Sequence, residues 1–139
     1  MKGDKIFVDT NILIYAYDIS AVDKHVTAVR ILSELWDSRR GVLSTQVLQE
    51  FFVSVTRKIP NPINEQHAIN IVRDFLRWEI VVNDGDSILE AASLVSRYRF
   101  SFWDCLIIQA ALKSGCNILL SEDLSDSQVI ESLQIRNPF

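Results

Sequence analysis

Short runs of consecutive apolar residues alternate along this chain with longer stretches in which apolar residues recur every three or four positions. An unbroken apolar run is typical of a strand buried on both faces, and the longer spacing is typical of an amphipathic helix. Strands are expected at 5–9, 41–45, 79–84 and 117–121, with a short fifth strand at 133–137. Helices are expected near 22–38, 45–58, 65–78, 86–98 and 102–114.

The helical spacing also predicts which side chains face the core. These are Val22, Val26, Val29, Leu32, Leu35 and Trp36 in the first helix, Ile69, Val72, Phe75 and Leu76 in the third, and Ile88, Leu89, Ala92 and Val95 in the fourth. In the second helix, Glu50 falls well away from the apolar stripe, so an exposed side chain is expected there.

This alternation predicts an α/β fold: a central, mostly parallel sheet of four to five strands with helices on both faces, in a three-layer sandwich. The length of 139 residues predicts one domain over 1–139. Ligands of such open sheets bind beyond the carboxyl ends of the strands. Polar residues that directly follow a strand are therefore the first candidates for function.

The composition is typical of a soluble globular protein, with 48% hydrophobic and 23% charged residues. The longest apolar run, 12–17, is too short to span a membrane, and the first residues lack a signal-peptide pattern, so a cytoplasmic location is expected. Cys105 and Cys116 form no zinc-binding pattern and are predicted to be buried, free thiols.

A net charge of −4 argues against a general nucleic-acid binder, which normally carries a basic surface. Some basic residues nevertheless come in pairs: Arg39 with Arg40, Arg57 with Lys58, and Arg97 with Arg99. Each pair is predicted to lie at the end of a helix, where cations complement the helix dipole. A role in phosphate contact requires a site beside the pair.

Asp9 ends the first predicted strand, where burying a charge is costly. One interpretation is an N-cap for the next helix. That helix is expected to begin only near residue 22, and Asn11 or Asp23 can cap it equally well. The pattern therefore favours a functional role for Asp9.

Asp123 follows the fourth strand much as Asp9 follows the first, and it is either a turn residue or a partner of Asp9. Glu122 is also a candidate, and alternation along a strand predicts that Glu122 and Asp123 point in opposite directions. Asp104 lies three residues after Ser101, which fits a helix cap as well as it fits a site. Carboxylates gathered at one sheet edge repel each other and favour a hard divalent cation such as Mg²⁺ or Mn²⁺.

Four segments, taken together and in order, resemble the motifs of the PIN-domain family, and within it the toxin ribonucleases of VapBC-type toxin–antitoxin pairs. The segments are VDTNILIYAYD, LSTQVLQEFF, SFWDCLIIQAA and ILLSEDL. The resemblance covers essentially the whole chain. It implies that the catalytic and metal-binding residues are Asp9, Glu50, Asp104 and Asp123. It also implies that these acids are oriented by Thr10, Asn11 and Ser121.

The resemblance further implies an endoribonuclease that uses Mg²⁺, with Mn²⁺ as a substitute, and hydrolyses RNA phosphodiester bonds with a metal-activated water. It implies a homodimer and a cognate antitoxin, and we expect the antitoxin to inhibit by placing a basic side chain among the acids. Glu122 and Asp126 add acids to the fourth motif, which leaves open whether either contacts a second metal.

The residue types at these positions argue against three other functions. Phosphatases of the haloacid-dehalogenase type need a second Asp where this chain has Asn11. A response-regulator receiver needs a lysine beyond a late strand, and no suitable lysine follows the fourth strand. The stronger alternative is a non-catalytic PIN-like domain that binds RNA or protein, against which the complete set of four acids argues.

Overall fold

The computed structural model describes residues 4–139, which form six strands and six α-helices. The strands are β1 Ile6–Val8, β2 Gly41–Ser44, β3 Glu79–Val81, β4 Ile118–Leu120, β5 Val129–Ile130 and β6 Leu133–Arg136. The helices are α1 Thr10–Tyr15, α2 Asp23–Ser38, α3 Thr45–Arg57, α4 Glu65–Phe75, α5 Gly85–Tyr98 and α6 Phe102–Lys113. The predicted α/β class with a mostly parallel central sheet is confirmed.

The strands form one sheet in the order β3-β2-β1-β4-β6-β5. All neighbouring strands are parallel except β5, which runs antiparallel to β6. The sheet therefore has one strand more than the four to five predicted. The additional strand is β5, whose two residues are too few to show a pattern in the sequence.

The core lies between the central strands and the surrounding helices. Phe7 of β1, Leu43 of β2 and Leu119 of β4 are fully buried, as expected for a strand covered on both faces. Val47, Phe51 and Val55 of α3 are also fully buried and belong to the same cluster as the strand residues. Because α3 directs this stripe inward, its opposite face is left for polar side chains.

In α2 the predicted inward face was only partly right. Leu32 and Leu35 are buried as predicted, together with Ala28. The other predicted residues are exposed, namely Val22 at the cap of α2, Val26, Val29 and Trp36. Both stripes fit the helical period, so periodicity alone does not choose between them. The buried stripe contains Ala28, whose small side chain permits close packing.

The same correction applies to α4 and α5. In α5 the predicted residues Ile88 and Leu89 are exposed, and Ala92 is exposed as well; the buried residues are Ser87, Ala91 and Leu94. In α4, Phe75 is buried as predicted, together with Ala68 and Ile71, whereas the predicted Ile69 and Leu76 are exposed. Each buried face again includes a small residue, which lets the helix approach its neighbours.

An aromatic cluster closes the sheet at the opposite end from the carboxyl ends of the parallel strands. Trp78 makes edge contacts with Phe75 and Trp36, each with ring centroids 5.3 Å apart. The Trp78 ring also lies directly on Gly41: a Cβ at residue 41 would come within 2.3 Å of it. Phe75 and Trp78 therefore pack against each other and against their aromatic neighbours within the protein.

We expect Gly41→Ala to lower the free energy of unfolding by about 2 kcal/mol, because the new methyl group must displace the Trp78 ring. Urea unfolding followed by tryptophan fluorescence measures this change. Gly85→Ala is the matched control, since a Cβ at residue 85 meets no atom within 4 Å and alanine suits a helix better than glycine. Equal unfolding midpoints for the two variants would contradict the prediction.

The predictions for the two cysteines and for the basic residues at helix ends agree with the structure. Cys105 and Cys116 are both buried and free, as expected. Arg57 and Arg97 lie in the last turns of α3 and α5, and Arg39 and Arg99 cap the carboxyl ends of α2 and α5. Over residues 4–139, none of the helices is both long and apolar enough to cross a membrane.

Candidate metal centre

The carboxyl ends of β1 and β4 bring two of the predicted polar segments side by side. The two strands are parallel neighbours, with Val8 in register with Leu120. The main-chain N–H of Asp9 donates to the carbonyl of Leu120 at 3.0 Å, which continues the ladder one residue beyond β1. Asp9 and Ser121 therefore emerge together at this edge of the sheet.

Asp9 is the N-cap of α1, and the expectation that the next helix begins near residue 22 was wrong. Helix α1 begins at Thr10, immediately after Asp9, and its six residues are too few for a periodic pattern to reveal it. Oδ1 of Asp9 accepts the main-chain N–H of Thr10 at 2.7 Å, and Oδ2 accepts the Ser121 hydroxyl at 2.7 Å. Both carboxylate oxygens are thus held in fixed positions.

Asp9 is buried, with 6% of its surface exposed, and its environment disfavours the charged form. Burial raises the pKa of Asp9 from 3.8 to about 6, against the lowering effect of the hydrogen bonds from Ser121 and Thr10. The negative charges of Asp123 and Glu50 raise this pKa further. Holding Asp9 in its charged form therefore carries an electrostatic cost in this environment.

Glu50 reaches the same edge from α3. Its Oε1 accepts the Thr10 hydroxyl at 2.7 Å, and its Oε2 accepts the Gln46 side-chain amide at 3.3 Å. Its exposure agrees with its position away from the buried stripe of α3. The exposed face of α3 is thus the face that meets the amino-terminal end of α1.

Asp123 follows β4 and is held by Asn11. The Asn11 amide donates to Oδ2 of Asp123 at 3.0 Å, and the main-chain N–H of Asp123 donates to the Ser121 hydroxyl at 3.2 Å. Asn11 also accepts the main-chain N–H of Glu122 at 3.3 Å. The first turn of α1 therefore fixes the loop that carries Asp123.

Glu122 turns away from these acids, as alternation along the strand predicted. Its carboxylate accepts hydrogen bonds from the Tyr15 hydroxyl and the Lys24 ammonium. Burial raises the pKa of Glu122, but these two hydrogen bonds outweigh it and the pKa lies below its ordinary value. Asp126 accepts the main-chain N–H of Asn137 at 2.9 Å. Both extra acids thus have partners elsewhere.

Asp104 lies in the first turn of α6, which is capped by Ser101. The Ser101 hydroxyl accepts the main-chain N–H of Asp104 at 3.1 Å, so the predicted cap is present. Partial burial raises the pKa of Asp104, a hydrogen bond between its carboxyl group and the Ser101 side chain lowers it, and the charges of Asp123 and Glu50 raise it. Asp104 therefore interacts electrostatically with Asp123 and Glu50, and it also takes part in the capped first turn of α6.

Gln46 is a residue that the sequence interpretation missed. Its amide donates both to Glu50 and, at 3.3 Å, to the carbonyl of Trp103, next to Asp104. Its Oε1 is buried and has no hydrogen-bond partner among residues 4–139. The available signal was its position one helical turn before Glu50. Gln46 joins the second and third motif segments through their polar atoms.

The donor chemistry of this edge fits a hard divalent cation. Asp9, Glu50, Asp104 and Asp123 bring carboxylates from four places in the chain, and no ion pair within residues 4–139 involves any of them. Within the same range, no group of three or more Asp, Glu, His or Cys side chains is placed so that it could hold a metal ion. Ligand sets made only of oxygen atoms are typical of hard divalent cations.

A cleft of about 470 Å³ is lined by two of these four acids, Glu50 and Asp123. Thr10 and Asn11 line it from α1, Glu50 lines it from α3, and Asp123 lines it from the loop after β4. Glu50 and Asp123 are therefore accessible to a ligand that enters from solvent.

A model of the PIN domain family matches residues 6–128, which include the four acids and the sheet edge that carries them. The chain belongs to the PIN domain family. No curated protein sequence matches it.

Among solved structures, this PIN domain resembles several proteins of toxin–antitoxin systems. VapC20 of Mycobacterium tuberculosis, described as a sarcin–ricin loop cleaving toxin, is 21% identical with a TM-score of 0.64, covering 83% of this chain and 87% of that chain. A toxin–antitoxin complex from Klebsiella pneumoniae is 19% identical with a TM-score of 0.68, covering 97% and 98%. VapBC2 of Rickettsia felis, bound to a promoter DNA fragment, is 20% identical with a TM-score of 0.67, covering 95% and 97%. At these identities the likeness establishes the fold.

Proposed function

We propose that this PIN domain is a metal-dependent endoribonuclease and the toxin of a VapBC-type toxin–antitoxin pair. The observation that carries the proposal is the arrangement of hydrogen bonds at the sheet edge. Thr10, Asn11 and Ser121 donate to three different acids, namely Glu50, Asp123 and Asp9. A cluster of acids that served only to cap helices would not need a separate side-chain donor for each carboxylate. The family match and the toxin structures of similar fold support the same function.

Asp9, Glu50, Asp104 and Asp123 are proposed to hold Mg²⁺, with Mn²⁺ as a substitute. When bound, the cation supplies positive charge that offsets the charge developing on the scissile phosphate and promotes ionisation of the attacking water. The chain contributes by fixing the acids before the cation arrives: each donor leaves the remaining lone pairs of its carboxylate free for the cation.

The burial of Asp9 has a consequence for this proposal. A carboxylate with a pKa of about 6 is partly protonated at mildly acidic pH, and a protonated oxygen is a poor cation ligand. The hydrogen bond from Ser121 and the N–H of Thr10 counter this effect by favouring the charged form. These two contacts keep Asp9 available as a ligand at neutral pH.

The proposed partners are an RNA substrate and a cognate antitoxin. The neighbouring folds from Klebsiella pneumoniae and Rickettsia felis are toxin–antitoxin complexes, which supports such a partner here. We expect the antitoxin to inhibit by placing a basic side chain among the four acids, since no Lys or Arg of residues 4–139 is paired with them. Homodimer formation is also proposed, and the exposed Ile88 and Leu89 of α5 are available for it.

An RNA-cleavage assay tests the proposed function. The purified chain, freed of any antitoxin by unfolding and refolding, is incubated with ribosomal, transfer and messenger RNA in Mg²⁺, in Mn²⁺ or in EDTA. We expect discrete cleavage products with either cation and none in EDTA. Cleavage that persists in EDTA would contradict a metal-dependent mechanism. RNA binding without cleavage under every condition would favour the alternative, a non-catalytic binding domain.

A further inference from the structure

The cleft beside the acids extends along the exposed face of α3 to a lysine. Glu50, Ser54 and Lys58 all line it and follow one another at intervals of four residues. Residues four apart lie on the same face of a helix, so the three side chains form a row. At 1.5 Å per residue, the row is roughly 12 Å long. It begins at the candidate metal centre and ends at a positive charge.

Lys58 is the basic residue of this cleft and has no ion-pair partner among residues 4–139. It caps the carboxyl end of α3, where a cation complements the helix dipole. That role is also served by Arg57 in the last turn, which does not line the cleft. The dipole therefore does not explain why the cation at residue 58 is directed into the cleft.

The negative charge of this site disfavours the binding of an RNA strand. The carboxylates repel its phosphates, and a bound cation offsets that repulsion only near the acids themselves. An ammonium group at the far end of the same cleft attracts a phosphate that lies beyond this region. Ser54 lies between Glu50 and Lys58 in the row, and its uncharged hydroxyl can donate a hydrogen bond to the RNA backbone.

We propose that Lys58 binds a backbone phosphate of the RNA substrate that lies farther along the strand from the scissile one, and so sets the direction in which the strand crosses the acids. This inference rests on the proposed ribonuclease function and adds a substrate-positioning residue to it. Contact with a phosphate carries no base specificity, so Lys58 is expected to act equally on RNAs of different sequence.

The test compares Lys58→Gln with Arg57→Gln, which removes the same charge from the same helix end but lies outside the cleft. Binding of a labelled single-stranded RNA is measured by fluorescence anisotropy in Ca²⁺ at several salt concentrations, and cleavage is measured in Mg²⁺. For Lys58→Gln we expect about fivefold weaker binding, a matching rise in KM and an unchanged kcat. The slope of log affinity against log salt should fall by about 0.7, the value for one phosphate contact on a single strand.

Equal effects of the two substitutions would overturn the role of Lys58, because the loss of any positive charge at this helix end would then explain the result. No effect of Lys58→Gln on RNA binding would overturn it as well. Lys58→Arg should retain the affinity, which separates a phosphate contact from a structural role. If the wild-type chain binds RNA and does not cleave it, the proposed ribonuclease function fails while the comparison at residue 58 still holds. If the wild-type chain binds no RNA, both proposals fail.

Discussion

Replacing Asp9 with Asn should stabilise the metal-free protein while abolishing cleavage of RNA. Burial raises the pKa of Asp9 from 3.8 to about 6, which corresponds to a cost of about 3 kcal/mol for carrying the charge at pH 7. Asn keeps an oxygen for the N–H of Thr10 and removes that charge. In EDTA at pH 7 we therefore expect the free energy of unfolding to rise by up to about 3 kcal/mol. Loss of this ligand should lower the cleavage rate in Mg²⁺ by more than about 100-fold.

The pH dependence of this difference follows from the direction of the pKa shift. The folded protein binds the Asp9 proton more tightly than the unfolded chain does. The loss of folding stability caused by the charge of Asp9 is therefore absent below pH 3.8, grows as the pH rises and is complete above pH 6. The advantage of Asp9→Asn should shrink to about 1 kcal/mol at pH 4.5. Asp126→Asn is the matched control, since it removes the charge of an exposed acid outside the cluster. A destabilised Asp9→Asn variant in EDTA at pH 7 would contradict the account of Asp9.

Ser121→Ala should destabilise the protein and weaken cation binding together. The fully buried Ser121 hydroxyl donates to Oδ2 of Asp9 and accepts the main-chain N–H of Asp123. Its removal leaves a buried carboxylate oxygen without a partner, for which we expect a loss of about 2 kcal/mol in the free energy of unfolding. The affinity for Mn²⁺ should fall between about 10- and 100-fold, because the hydroxyl no longer orients Asp9. Urea unfolding and calorimetric titration with Mn²⁺ measure the two effects.

A double-mutant cycle with Asp9→Asn separates this contact from a general packing effect. If the hydroxyl acts through the charge of Asp9, Ser121→Ala should cost less in the Asp9→Asn variant than in the wild-type protein. Ser114→Ala is the matched control, since the Ser114 hydroxyl donates to the carbonyl of Ala110 at the end of the helix that precedes it. Additive effects of the two substitutions at residues 9 and 121 would show that no such coupling exists.

The sequence was sufficient to predict the fold class and most element positions, because continuous and periodic apolar runs report strands and helices directly. It was insufficient to predict which face of α2 and α5 is buried. Apolar stripes on both faces of these helices satisfy the same period, and the choice depends on how closely Ala28 or Ala91 lets the helix approach its neighbours. Helix α1 and strand β5 were missed because each is too short to show a periodic pattern.

The candidate site was predictable to different degrees for different residues. A functional role for Asp9 was predictable from the sequence pattern alone, because burying a carboxylate at the end of a strand is energetically costly. Glu50 had no such signal: only its resemblance to a family motif set it apart from other exposed glutamates, and its hydrogen bond with Thr10 depends on how α1 and α3 meet. Gln46 was missed because an amide within a helix carries no motif, and its bridge between Glu50 and Trp103 exists only in three dimensions.

The central claim is that four carboxylates from separate parts of the chain form one cation site. Calorimetric titration of the antitoxin-free protein with Mn²⁺ tests it most directly, with wild type, Asp9→Asn and Asp126→Asn compared at pH 7. We expect saturable Mn²⁺ binding by wild type and Asp126→Asn, and at least about 100-fold weaker binding by Asp9→Asn. Equal binding by all three proteins, or no binding by the wild type, would contradict the claim.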